Sequence, residues 1–389
     1  MADTRTAKLR RLWLNVHLWI GVGLAVLLIP ISVSGGLLVW NDDIDALLNP
    51  QRYAVTGPQM MQPPSAYLTK AAESVAKTPG QWQATSLRYP DEPGLPARVT
   101  VRGPGREGGG RPSMMTVYLD PPTASVLGAT DFRGSFMGFL HSFHENLTMP
   151  QYNGRQIVGW AGAGMLILSL TGIWLWWPRK GGFIRGLRWT RSSRFTFNLH
   201  HLLGLWISIP LAVVSATGIY LAFPQTARNA MSSVATMNPQ GPRGFFGEIA
   251  QNTALTADRA VEIAQQVEPN AKPAALFLPT EQRGERARGP SWRVQMQRAD
   301  GDAVTVAVDD RSGKAAPVLA PQSGDRAASW IRWIHEGSHS GPVWALIVFL
   351  TGVFPTIFAI TGTIMWLRKR ADKKALEVQS GSVEWRPAE

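Results

Sequence analysis

Four long apolar blocks limit what this chain can fold into, because nothing but a membrane accommodates them. They run from about Leu12 to Trp40, Ile157 to Trp177, Leu199 to Phe223 and Val343 to Leu367. Each holds roughly 20 or more mostly apolar residues, enough at 1.5 Å per residue to cross a hydrocarbon core of ~30 Å. A helix at the edge of a soluble core would show a polar face over that length. The first block follows Arg5, Lys8, Arg10 and Arg11, as the apolar region of a signal peptide would. It is longer than such a region, and no small-residue cleavage motif precedes Asn41-Asp42-Asp43, so it reads as an uncleaved anchor.

Orientation follows from basic residues, which collect on the cytoplasmic side. The loop PRKGGFIRGLRWTRSSR carries Arg179, Lys180, Arg185, Arg188, Arg191 and Arg194, and the tail after the fourth block reads RKRADKK. With the basic amino terminus, these segments predict both termini in the cytoplasm of a bacterial cell. The net charge of +12 therefore belongs to membrane flanks and not to a nucleic-acid surface. Many of the 16 Trp stand at block ends, where amphipathic rings favour the headgroup region of the lipids. The expected fold is a mainly α membrane protein: a four-transmembrane-helix bundle with two periplasmic α+β domains. The expected division is 1–40 (first span), 41–136 (first domain), 137–178 (histidine junction and second span), 179–197 (basic loop), 198–223 (third span), 224–330 (second domain), 331–367 (second junction and fourth span) and 368–389 (tail).

The chain reads as one unit repeated. LNVHLWIG at Leu14–Gly21 answers FNLHHLLG at Phe197–Gly204, Ser34-Gly35 answers Thr217-Gly218, and TGIWLWWPRK from Thr171 answers TGTIMWLRKR from Thr361. The inserts match too. PSAYLTKAAESVAK and TADRAVEIAQQV have helical spacing, and short alternating strands follow: SLRYP and ARVTVR in one, WRVQMQ and AVTVAV in the other. The last strands end in acidic turns, YLDPPTASVLG and AVDDRSGKAAPV. Each insert is expected to be a small α+β domain of one helix on an antiparallel sheet, with RGPGREGGGR at Arg102–Arg111 as a disordered hairpin tip. Neither contains a histidine, a nucleophile motif or a phosphate loop, so catalysis is not expected there.

All seven histidines sit at span ends: His17, His200 and His201 on the cytoplasmic side, and His141, His144, His335 and His339 on the other. The chain has no cysteine, which excludes disulfides, iron–sulfur clusters, thiolate metal sites and C-x-x-C-H haem attachment. Imidazole is the usual axial ligand of noncovalent haem, and two facing helices can present one from each side of the iron. The repeat pairs His17 with His200, leaving His201 as a supporting or alternative ligand. The flanks FL-His141 and WI-His335 pair those two as the other ligand set, with His144 and His339 next. Two bis-His b haems are predicted, their irons on the order of 20 Å apart. Arg155 and Arg332 could pair with haem propionates, or simply snorkel to the interface. Zinc is the rival metal, since H-x2-H-E and H-E-x2-H resemble zinc patterns. The spans lack Asp, Glu and Lys in their middles, which argues against a proton relay or an ion-coupled transporter.

With NVHLWIG, LHSFHENL, NLHHLLG and WIHEGSHSG at its junctions and YLDP-type hairpins in its inserts, the chain resembles the PepSY-associated transmembrane family. Within it, the chain is similar to the FoxB-type siderophore reductases of Gram-negative inner membranes. The resemblance implies two PepSY-like domains, oxidoreductase activity and reduction of a ferric siderophore on the periplasmic side in iron uptake. No Rossmann glycine fingerprint appears, so electrons are expected from a cytoplasmic donor or from quinol. Two other classes remain open at this point, a haem-free PepSY regulatory or binding protein and a siderophore or iron permease.

Overall fold

The computed structural model describes residues 4–104, 112–178, 184, 187, 192–238, 248–281, 289–299, 303–318 and 321–383. The glycine-rich segment 105–111 and the basic residues Arg179, Lys180, Arg185, Arg188 and Arg191 lie outside the described residues. In chain order the helices are α1 (Thr4–Leu38), α2 (Asn41–Leu48), α3 (Pro64–Val75), α4 (Phe136–Asn146), α5 (Gly154–Trp176), α6 (Phe195–Ala222), α7 (Pro224–Val234), α8 (Ala257–Val267), α9 (Ser323–Glu336) and α10 (Gly341–Val383). Two compact units result: Met1–Asn41, Phe139–Thr236 and Ser323–Glu389 form one, Asp42–Gly138 and Met237–Gln322 the other.

In the first unit α1, α5, α6 and α10 are each long and apolar enough to cross a membrane. They form a ring in which α1 and α6 each touch α5 and α10 and stand diagonally opposite one another. Small residues let the backbones close: a Cβ on Gly352 would fall 2.6 Å from the Gly36 Cα, and one on Gly159 would fall 2.5 Å from the Phe223 ring. Leu28, Ile31, Met165 and Leu211 fill the interior, while Trp19, Trp160 and Trp206 point outward. Two helices outrun the expected spans. α1 begins at Thr4 and not Leu12, and α10 continues past Leu367 to Val383, because Lys, Arg, Ala and Glu flanking the apolar zone are good helix formers. Arg10 donates to the Leu175 carbonyl at 2.5 Å, and Arg194 pairs with Asp372 at 3.1 Å. The start of α1, the end of α5, the start of α6 and the polar extension of α10 therefore share one end of the ring.

The second unit is built on β1 (Gln83–Arg88), β2 (Ala97–Arg102), β3 (Met114–Leu119), β4 (Val126–Asp131), β5 (Glu248–Ile249), β6 (Lys272–Phe277), β7 (Thr280–Glu281), β8 (Ser291–Gln297), β9 (Ala303–Asp309) and β10 (Ala315–Pro317). Each insert contributes a helix and an antiparallel set of strands, and the two sets meet edge to edge. The inserts share one eight-stranded sheet, in the order β10-β9-β8-β6-β1-β2-β3-β4. β1 and β6 pair antiparallel, with Leu87 opposite Leu276. Had the inserts folded apart, each would have left a row of unpaired N–H and C=O groups at these edges. Joining them satisfies both edges and makes one core, in which Tyr67, Ala71 and Val75 of α3 and Ala260 and Ala264 of α8 cover Leu87, Val99, Leu276 and Val294. The helix and hairpin patterns read from the sequence are otherwise present.

The acidic turns anchor this unit. Asp310 is 1% exposed and accepts from the Ala254 and Leu255 amides at 2.8 and 3.1 Å and from the Trp292 indole at 2.8 Å. Asp120 does the same for Thr56, accepting from its amide at 2.6 Å and its hydroxyl at 2.7 Å. Asp310→Ala would strand three donors at about 1–3 kcal/mol each, so a loss of roughly 3 kcal/mol or more is expected. Denaturant unfolding of the purified full chain measures it. An unchanged midpoint would show that water replaces the carboxylate.

Candidate functional site

The histidines are positioned by α1, α6, α4 and α9. His17 lies near the start of α1 and His200 near the start of α6. Their rings stand 6.4 Å apart, centroid to centroid, with planes crossing at 79°. His144 on α4 packs against α1, and His335 on α9 packs against α6; these two rings stand 6.2 Å apart at 37°. Two imidazoles sharing one metal, each with a bond of about 2 Å and a nitrogen about 1.1 Å from its ring centre, have centroids about 6.3 Å apart. Both pairs meet that distance.

Each ring is tied down through Nδ1. His144 meets the Ile31 carbonyl at 2.9 Å, and His335 meets the Val214 carbonyl at 3.0 Å. A carbonyl only accepts, so Nδ1 carries the proton and Nε2 keeps its lone pair. His17 meets the Thr171 hydroxyl at 2.8 Å and His200 meets that of Thr361 at 2.9 Å. Burial also lowers the pKa of His144 and of His335 from the ordinary histidine value. At neutral pH both are therefore in the form that binds a metal. Glycines make the room: a Cβ on Gly35 would lie 2.5 Å from His144 Cε1, and one on Gly218 would lie 2.9 Å from His335 Cε1.

The spacing along the two diagonal helices is the same. Ile31 lies fourteen residues after His17, and Val214 fourteen after His200. At 1.5 Å per residue the two levels are about 21 Å apart. Among the described residues no group of three or more His, Cys, Asp or Glu side chains could hold a metal ion. Zinc, which takes four protein ligands in structural sites and three in catalytic ones, does not suit a lone pair of imidazoles. An iron already held by four porphyrin nitrogens does; the donor set and its spacing fit haem b at both levels, and glycines clear the rings at the His144–His335 level.

The remaining candidates fall elsewhere. The structure brings His144 and not His141 to His335: the His141 side chain is 55% exposed and lies 3.8 Å from Glu145. It stands three residues before His144, about 60° round α4 and about 4.5 Å along it. The flanking apolar residues suggested the wrong register; the His-Glu dipeptide shared by His144-Glu145 and His335-Glu336 marks the right one. His201 is stacked between Phe197, at 5.7 Å, and Trp176, at 6.0 Å. It sits one residue, about 100° of helix turn, away from the facing rings. His339 occupies a left-handed position, φ 59°, in the turn from α9 to α10, with its ring 4.4 Å from Trp333. Arg155 pairs with Glu145 at 3.1 Å and donates to the Leu221 carbonyl at 2.8 Å, tying α5 to the end of α6. Arg332 pairs with Glu336 at 3.3 Å on its own helix. Sequence reasoning missed Thr171 and Thr361 as histidine partners, although both had already stood out in the matched T-G dipeptides.

A ring of four membrane-length helices joined to an α+β sheet unit defines a multi-pass membrane protein. The sequence profile of the PepSY-associated TM region matches residues 14–369, and the chain belongs to that family. No curated protein matches it.

Proposed function

We propose that this chain is a di-haem b electron-transfer protein of the bacterial inner membrane that reduces ferric siderophores on the periplasmic side during iron acquisition. The observation that carries the reading is the pair of imidazole pairs, each at the separation two imidazoles sharing one metal need, held at two levels about 21 Å apart along α1 and α6. Haem b supplies, when bound, a one-electron Fe(III)/Fe(II) couple. His17 and His200 would hold it at one level, His144 and His335 at the other. The matched spacings support descent from one duplicated span–insert–span unit.

Basic residues at the shared end of α1, α6 and α10 support placing the His17–His200 level on the cytoplasmic side. Electrons then enter there from a cytoplasmic donor, or from a quinol that releases two electrons and two protons. They leave near His144 and His335, one for each Fe(III) reduced to Fe(II). Siderophore oxygens are hard donors that hold Fe(II) less well, so reduction loosens the iron. The likeness to FoxB-type reductases supplies the siderophore as acceptor.

The test is a pyridine haemochrome count on protein purified in mild detergent, with oxidised and dithionite-reduced spectra. About two b haems per chain are expected, with reoxidation on adding a ferric siderophore. Colourless protein from haem-replete cells would sink the redox reading; reduced haem indifferent to ferric siderophores would sink the acceptor alone.

A further inference from the structure

The four paired imidazoles differ in what receives the Nδ1 proton. At the His144–His335 level both acceptors are main-chain carbonyls, of Ile31 and Val214. At His335 the Thr217 hydroxyl adds a second contact, 3.2 Å from Nδ1. At the His17–His200 level Nδ1 meets hydroxyls, of Thr171 and Thr361, and the Leu168 main chain is a second partner of His17. These two threonines are held alike, each 2.7 Å from the carbonyl four residues back, of Ile167 and of Ile357. A hydroxyl has one proton. Directed into its own helix, that proton leaves Oγ1 only as an acceptor, and Nδ1 must then be the protonated ring nitrogen.

We infer that Thr171 and Thr361 are positioning residues that hold His17 and His200 in the Nδ1–H form and set the potential of that site above the potential of the His144–His335 site. The second half rests on the haem reading above. A hydrogen bond accepted from Nδ1–H pushes electron density toward Nε2 and makes the imidazole a more basic ligand. A more basic ligand favours Fe(III) over Fe(II) and lowers the potential. A carbonyl is a stronger acceptor than a neutral hydroxyl; both His144 and His335 bond to a carbonyl, whereas His200 bonds to a hydroxyl alone, so the balance of acceptors makes the His144–His335 pair the more basic ligand set. The site assigned to the acceptor side is thereby the stronger reductant, which suits iron held by hard oxygen donors.

The experiment is a potentiometric titration of the full-length protein, wild type and Thr171→Val/Thr361→Val, followed by optical and EPR spectra. The two ring-plane angles, 79° and 37°, distinguish the sites, since crossed axial planes give the low-spin ferric signal of larger g-anisotropy. In the wild type the larger-anisotropy centre is expected to have the higher potential. The valine pair should raise that potential further and leave the other centre where it was, and Thr171→Ser/Thr361→Ser should restore it. The reverse order in the wild type, a shift of both centres or a shift of neither would overturn the inference. Histidine 15N shifts on haem-free protein test the tautomer separately. His17 and His200 are expected as Nδ1–H, and an Nε2–H signal would overturn the threonine assignment. Protein that never carries haem would remove the functional reading while this spectrum still decides the threonine role.

Discussion

Alanine at His144 is expected to cut the haem content of the purified protein from about two per chain to about one, and alanine at His335 to remove the same haem. Alanine at His141 should leave both in place. The contrast follows from what each ring touches: His144 reaches the Ile31 carbonyl of α1 and stands 6.2 Å from His335, while His141, one helical turn earlier, is 55% exposed beside Glu145. Removing one imidazole of a pair leaves the iron with a single protein ligand and the partner ring with nothing to share. A neighbouring histidine does not compensate, because His141 is displaced about 4.5 Å along α4 from His144, whose ring stands 6.2 Å from His335. Pyridine haemochrome gives the count, and EPR shows which centre survives; it should be the one with crossed planes. His17→Ala and His200→Ala should give the complementary loss. A colour loss on His141→Ala with His144→Ala unaffected would reverse the assignment.

Much of this site is legible in the sequence, and the parts that are not share a cause. His17 and His200 stand in octapeptides that share the Asn, His and Gly positions on continuous spans, so their equivalence needs no knowledge of turns. Thr171 and Thr361 likewise stand at matched places. The other level fails at the junctions, where the two copies differ in length: His144 lies ten residues before Gly154, while His335 lies six before Gly341. Left-handed residues make both turns, Leu147, Thr148 and Asn153 in one and Gly337, His339 and Gly341 in the other, and no periodicity announces them. The sheet shows the same limit. Helices α3 and α8 and the hairpins have local patterns, but the joining of β1 to β6 is a pairing of Leu87 with Leu276 across most of the chain, decided by edge satisfaction and not by any short signal.

Glycine replacement separates steric design from helix composition. Gly35→Ala and Gly218→Ala are expected to abolish haem at the His144–His335 level when combined, and to weaken it singly. By propensity alone each change should help, since alanine in a helix interior is favoured over glycine by about 1 kcal/mol. The added methyl, however, would fall 2.5 Å from His144 Cε1 in one case and 2.9 Å from His335 Cε1 in the other. Neither ring can retreat cheaply, because its Nδ1 is bonded to a carbonyl of the very helix that carries the glycine. At the other level the same substitution meets open contact: a Cβ on Gly172 or Gly362 would lie 3.6 Å from His17 or His200 Cε1. Gly172→Ala and Gly362→Ala should therefore keep both haems, with thermal stability unchanged or slightly raised. The measurement is haem per chain beside the unfolding midpoint for all four variants. If Gly35→Ala/Gly218→Ala bound two haems with unchanged EPR, the α4 and α9 rings would have to sit farther from α1 and α6 than these contacts place them. Loss of haem at 172 and 362 instead would mean that the His17–His200 level is the tightly closed one.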